Sequence, residues 1–132
     1  MERTLQQTNS NCIKVVLFGP ESSGKSTLAK ELADHYNSIY VEEYAREYLQ
    51  KKYDLNQEIC SYDDLIPIAK GQIRLENEAS KKCNSILFCD TDLLTTKIYS
   101  EIYFDKCDHL INEYAIKNKY DLYLLMDVDI PW

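Results

Sequence analysis

Glycine is scarce in this chain, with three in 132 residues, and proline is equally rare. No Gly-, Pro- or Ser-rich linker, internal repeat or low-complexity tract divides it, so its length predicts one domain with a real core. Positive charge is in deficit: 15 Lys and Arg against 22 Asp and Glu leave a net charge of −7. That balance argues against non-specific binding to nucleic acid or to an anionic membrane, both of which need a basic surface. Five cysteines (Cys12, Cys60, Cys83, Cys89, Cys107) contain no C-x-x-C pair. Their odd number predicts reduced thiols in a cytosolic protein rather than a disulfide framework. His35 and His109 are isolated, so zinc finds no ligand cluster, and Cys107-Asp108-His109 reads as a helix start. No apolar run approaches membrane-spanning length. Residues 1–12 read as a polar extension without a signal-peptide core, and the expected location is the cytoplasm.

Against that scarcity, two of the three glycines bracket one loop: Gly19-Pro20-Glu21-Ser22-Ser23-Gly24-Lys25-Ser26-Thr27. The pattern is G-x-x-x-x-G-K-S, a phosphate-binding P-loop, and its setting is what gives it weight. A β-branched and apolar run, 14–18, precedes it. Residues 26–36 follow with Leu28, Leu32 and Ala33 at helical spacing. A strand that delivers the loop and a helix that begins where it ends aim successive backbone N–H groups, and the positive end of a helix dipole, at one phosphate. Lys25 then places a point charge at the β- and γ-phosphates, and the Ser26 hydroxyl can ligate Mg²⁺. The expected ligand is a nucleoside triphosphate, ATP, contacted by Gly19, Glu21, Ser22, Ser23, Gly24, Lys25, Ser26 and Thr27.

Strand and helix alternate along the rest of the chain, which predicts a three-layer α/β fold with a mostly parallel sheet. Strands are expected at 14–18, 39–41, 85–89 and 120–126. Helices are expected at 24–36, 43–52, 62–82, 93–103 and 107–118, with a loop at 54–61. Pro67 lies inside the amphipathic stripe of Leu65, Ile68, Ala69, Ile73 and Ala79, so that helix either begins near Pro67 or kinks there. The domain is taken as 13–132. A P-loop sheet continues past a strand like 120–126 with further helix and strand, so the chain reads as an incomplete domain.

Ligands of open α/β sheets sit beyond the carboxyl ends of the strands. Glu42 and Glu43 follow the second strand, and Asp90-Thr91-Asp92 follows the third. An acid at the end of a buried strand beside a P-loop is placed to organise Mg²⁺, the role expected for Asp90 and, weighed evenly against capping the next helix, for Asp92. Glu43 is the candidate general base for an acceptor hydroxyl; the alternative is that it favours a helix N-terminus. Arg46, three residues on, is either its solvated ion-pair partner or a clamp on phosphate or acceptor. Asn118-Lys119-Tyr120-Asp121 spells the N-K-x-D guanine signature, but it precedes a strand instead of following one and reads as accidental.

Taken together, the loop at 19–27, Glu43-Tyr44-Ala45-Arg46-Glu47-Tyr48, Asp90-Thr91-Asp92-Leu93-Leu94-Thr95-Thr96 and Ile130-Pro131-Trp132 resemble the NadR-type ribosylnicotinamide kinase domain, within the NadR-like P-loop ATPases. The resemblance runs from about Lys14 to Trp132. It implies Mg²⁺-dependent transfer of the ATP γ-phosphoryl group to a ribonucleoside hydroxyl, with nicotinamide riboside as the model acceptor. It also carries Gly24, Lys25, Ser26 and Thr27 over as ATP-phosphate contacts, Asp90 as the strand-three acid, and Glu43 and Arg46 as the Glu and Arg of a W-E-Y-G-R segment. Two positions depart from the pattern. Glu42 replaces the aromatic before Glu-Tyr, and Lys70-Gly71-Gln72-Ile73 lacks the aromatic of an H-A-Q-Y-like stretch. The lid arginines of the pattern are expected beyond Trp132. Two other readings stay open: a regulatory ATPase acting on a protein partner, and a nucleotide-binding fragment without turnover.

Overall fold

The structure, a computed structural model, describes residues 5–8, 10–19, 24–83 and 85–125. In chain order it runs β1 (Ile13–Phe18), α1 (Lys25–His35), β2 (Ile39–Val41), α2 (Tyr44–Asn56), a 3₁₀ turn (Tyr62–Asp64), α3 (Leu65–Lys82), β3 (Ile86–Asp90), α4 (Leu93–Phe104), α5 (His109–Lys117) and β4 (Leu122–Leu125). The four strands form one parallel sheet in the order β2-β3-β1-β4. The expected α/β fold is therefore present. β1 and β3 lie side by side at its centre, with Leu17 opposite Asp90.

The strand residues alternate between two covered faces, as a period of two requires. Val15, Leu17 and Phe88 pack with Ala29 and Ala33 of α1. Val16, Val41, Leu87 and Cys89 turn the other way, against Leu75 and Ala79 of α3. Beyond α3, a third cluster gathers Leu65, Ala69 and Ile73 with Leu93 of α4 and Ile111 of α5. Leu5 is buried in that cluster, and Gln7 and Thr8 bond to Glu76 and Asn77 of α3, so the described part of 1–12 packs on the domain. Among the described residues no helix is long and apolar enough to cross a membrane.

The end of α2 differs from its sequence expectation, and α3 takes the first of the two forms expected of it, beginning near Pro67. α2 runs to Asn56 rather than stopping near 52, held by a Gln50–Asp54 side-chain bond one turn apart and closed by Gln57 in the left-handed region. α3 proper begins at Leu65, which puts Pro67 in its first turn, where its missing N–H would have no helical partner anyway. The 3₁₀ turn that leads into it opens on a capping box between Ser61 and Asp64, whose Oδ2 accepts from Ser61 N at 2.7 Å and from Ser61 Oγ at 3.1 Å. Asp64 also accepts from Tyr48 Oη (3.0 Å) and from Lys52 Nζ (2.5 Å), tying α2 to α3.

One expectation is corrected. Cys12 and Cys83, 71 residues apart, are disulfide-bonded, joining the start of β1 to the end of α3; Cys60, Cys89 and Cys107 are free. Cys107-Asp108-His109 is the expected helix start, with Asp108 accepting from Leu110 N at 2.8 Å.

Two tests follow from the α2–α3 contact. The Tyr44 ring lies so close to Gly71 that a Cβ there would stand 2.2 Å from Tyr44 Cε2. Gly71→Ala should cost about 1–3 kcal/mol in urea titrations. In a Tyr44→Ala background the same change should instead gain about 0.5–1 kcal/mol, the helix-interior preference for alanine. Burial pushes the Asp64 carboxyl up, but the bonds from Lys52, Ser61 and Tyr48 outweigh it and hold the group below its ordinary value of 3.8. Its stabilisation is complete above that value and is lost as pH falls through the lowered one. Asp64→Asn should therefore flatten that part of the acid limb of stability, measured by denaturation at stepped pH.

Candidate functional site

Three elements end at one edge of the sheet. β1 hands the chain to Gly19, whose successors 20–23, including Glu21, Ser22 and Ser23, lie outside the described residues. The chain re-enters at Gly24, the N-cap of α1, with φ +83°, ψ 21°. Among the described residues nothing lies within 4 Å of where a Cβ would stand on Gly24. The positive φ is a backbone conformation that glycine adopts without strain. Lys25 is buried, Ser26 half-buried and Thr27 exposed at the first turn of α1.

β3 delivers Asp90, 1% exposed, to the same point. Ser26 Oγ donates to Asp90 Oδ2 at 2.5 Å, and Arg46 Nη1 donates to Ser26 Oγ at 3.0 Å. Arg46 Nη2 stands 3.4 Å from Glu43 Oε1. Asp90, Ser26, Arg46 and Glu43, predicted separately from three segments, therefore form one continuous polar chain. Ser26, Glu42, Glu43, Arg46 and Asp90 line a cavity of about 540 Å³ that includes Tyr40 and Leu75 on its walls.

Asp90 Oδ1 is the telling atom. It is buried, and among the described residues no hydrogen-bond donor reaches it. Leaving a carboxylate oxygen unpaired in the interior is costly, of order 1–3 kcal/mol, and such a group calls for a ligand. Among the described residues no group of three or more His, Cys, Asp or Glu side chains is assembled to hold a metal. A cation here would be held by the Ser26 hydroxyl and Asp90, with phosphate and water supplying the rest. Hard oxygen donors in small number are the set that suits Mg²⁺.

Asp92 is placed differently. Its Oδ1 accepts from Thr95 N at 3.4 Å as the N-cap of α4, and its Oδ2 accepts from Tyr123 Oη at 2.8 Å. Burial raises its pKa, with the Tyr123 and Thr95 bonds pulling the other way. Both oxygens are thus engaged within the protein. Thr91, between the two acids, is in the left-handed region at φ +73°, and its N–H donates to Leu17 O at 3.2 Å, turning the chain away from β3.

A larger hollow of about 810 Å³ opens at the other end of the sheet, beside Lys14, Asn118, Lys119 and Asp121. It holds the N-K-x-D residues, which serve structure there. Asn118 Nδ2 donates to Leu5 O at 3.1 Å, and Asp121 Oδ2 accepts from Lys14 N at 2.7 Å. The smaller cavity carries the P-loop lysine helix, the unpaired acid and the candidate base, and it is the candidate site.

Sequence reading missed the polar residues of α3. Gln72 and Glu76 are buried on the same stripe as Ile68, Ala69 and Ile73. Glu76 accepts from Lys14 Nζ (3.1 Å), Gln7 Nε2 (2.9 Å) and Tyr120 Oη (2.5 Å). The signal was available: polar residues at core spacing in a helix need partners. Of the two positions that depart from the aromatic pattern, Ile73 is buried in the α3–α5 core and Glu42 is exposed at the cavity.

A protein-family profile described as an AAA domain matches residues 14–132. The chain is 31% identical over 118 residues to the trifunctional NAD biosynthesis/regulator protein NadR of Salmonella typhimurium and, equally, of Escherichia coli. Those matches cover 89% of this chain and 29% of the relatives, so the chain spans under a third of their length. A crystal structure of NadR protein in complex with NR superposes with a TM-score of 0.75 at 28% identity, covering 86% of this chain and 33% of that one. Another, in complex with NAD and AMP-PNP, gives 0.73 at 29%, covering 86% and 34%. Thymidylate kinase from Ehrlichia chaffeensis shares the fold, with a TM-score of 0.57 at 21% identity, covering 89% of this chain and 72% of its own.

Asp90→Asn, which removes the buried negative charge, should leave the unliganded protein as stable as before or more so. The same variant should lose the extra thermal stabilisation that Mg²⁺ adds to nucleotide, measured by melting with ATP in the presence and absence of the metal.

Proposed function

The chain belongs to the AAA domain family and is related to NadR proteins over that domain, and from that premise we propose that it is an ATP-dependent small-molecule kinase. Its reaction transfers the γ-phosphoryl group of ATP to a ribonucleoside hydroxyl, with an acceptor resembling nicotinamide riboside. The phosphotransfer domain is assigned to residues 13–132. The reading is supported above all by the chain of contacts from Asp90 through Ser26 and Arg46 to Glu43 on the wall of one cavity. It links a phosphate-binding helix to a carboxylate suited to receive a proton.

Each residue then has a chemical task. Backbone amides around Gly24, with Thr27 in the same turn, face the phosphates, and Lys25 offsets their charge. Ser26 and Asp90 would hold Mg²⁺, which when bound neutralises charge on the phosphate oxygens. The acceptor oxygen forms a bond to the γ-phosphorus as the bond to the β–γ bridging oxygen breaks, leaving ADP. Glu43 takes the proton released by the acceptor hydroxyl and passes it to water. Arg46, 56% exposed at its side chain and touching both Ser26 and Glu43, fixes the spacing between donor and acceptor sides. Catalysis of this kind is mostly positioning and electrostatics. Glu42 on the cavity wall, where the related pattern has an aromatic, favours an acceptor bearing a polar or cationic group at that point.

The test is incubation with Mg·ATP and a nucleoside panel that includes nicotinamide riboside, followed by mass analysis. Acceptor-dependent phosphomonoester is the expected product. Glu43→Gln should lower transfer about a hundredfold or more while sparing ATP affinity. ADP release that ignores the acceptor would overturn the kinase reading in favour of an ATPase, and full transfer by Glu43→Gln would remove the base assignment.

A further inference from the structure

Glu43 occupies the N-cap position of α2 without a side-chain cap bond, and its Oε1 lies 3.4 Å from Arg46 Nη2 one turn along the same helix. What fixes the backbone around it comes from α3. The Gln72 side chain, 5% exposed, reaches across and grips the peptides on either side of Glu43. Its Nε2 donates to Glu42 O at 3.0 Å, and its Oε1 accepts from Tyr44 N at 2.8 Å. Tyr44 N–H is one of the first-turn donors that a helix cannot satisfy internally. Flipping the amide would set donor against donor and acceptor against acceptor, so the two bonds define a single orientation of Gln72. Gly71 beside it leaves room for the Tyr44 ring, and Arg74 lies over that ring at 5.6 Å. The dock therefore holds the backbone on both sides of one residue.

We propose that Gln72 is a positioning residue for Glu43: its buried amide clamps the Glu42 carbonyl and the Tyr44 amide and so aims the intervening carboxylate into the cavity shared with Ser26 and Asp90. The proposal rests on the kinase reading for its catalytic consequence, but the clamp itself can be measured separately. Glutamine suits the task because one neutral group both donates and accepts. Glutamate would still accept from Tyr44 N–H, but once ionised it would oppose the Glu42 carbonyl oxygen. Protonated, it would restore the donor.

That asymmetry supplies the experiment. Gln72→Met keeps the side-chain length and removes both bonds; it should lower kcat about a hundredfold while KM for Mg·ATP stays within about twofold, as expected for a misplaced base. Gln72→Glu should show activity relative to the unaltered chain that rises as pH falls, because protonating the introduced carboxyl restores the donor to Glu42 O. Tyr44 amide hydrogen exchange should accelerate in Gln72→Met without matching acceleration in β1 and β3. A kcat within twofold of the unaltered chain, equal losses of kcat and of Mg·ATP affinity, or a flat Gln72→Glu ratio would each overturn the proposal. Should the unaltered chain transfer no phosphoryl group, the kinase reading fails on its own. Tyr44 exchange then still decides the clamp: unchanged protection in Gln72→Met would end it.

Discussion

The parallel pairing of β1 with β3, with Leu17 beside Asp90, is the constraint from which the site follows. It brings a carboxylate from the end of one buried strand to the first turn of the helix that follows the other. Ser26 meets that carboxylate at 2.5 Å, and Arg46 reaches Ser26 in turn at 3.0 Å. A slip of the β1–β3 register would move Asp90 by a strand residue and turn it to the other face. Both faces are packed, by α1 and by α3, which is why the register is firmly held.

Two buried carboxylates illustrate how differently the fold treats structure and chemistry. Glu76 has its oxygens saturated by Lys14, Gln7 and Tyr120, and burial with that negative charge pushes the Tyr120 hydroxyl pKa well up. Breaking such a set leaves uncompensated buried charge, so its role is to join β1, α3 and the approach to β4. Asp90 is as deeply buried, but among the described residues one of its oxygens has no partner. A cost of that kind is tolerated where a ligand will offset it, and the phosphate-binding helix beside it says which ligand chemistry applies. Asp64, fully bonded and 7% exposed, falls with Glu76.

Much of this was legible in the residues. The scarcity of glycine made Gly19 and Gly24 stand out, and β1, β2 and β3 were readable because strands covered on both faces show continuous apolar runs. The location of Asp90 and Glu43 at strand ends followed from the architecture alone. What stayed hidden depended on distance in the fold. The Cys12–Cys83 bond joins residues 71 apart, and no spacing rule announces it. The ends of α2 turned on one side-chain bond and a left-handed cap. Whether Arg46 would be a solvated partner of Glu43 or a link to Ser26 could not be read from i,i+3 spacing, since both arrangements use it; the structure has both contacts at once. Gln72 carried a visible signal as a polar residue on an apolar stripe, but its partners on the β2–α2 junction were not in the pattern.

We propose that Gly24, Lys25, Ser26 and Asp90 form a preshaped site for a magnesium-bound nucleoside triphosphate. Calorimetric titration of the folded chain with ATP, with and without Mg²⁺, addresses it most directly. One-site uptake that weakens when the metal is withheld is the predicted result. No heat of binding at millimolar Mg·ATP would contradict the account.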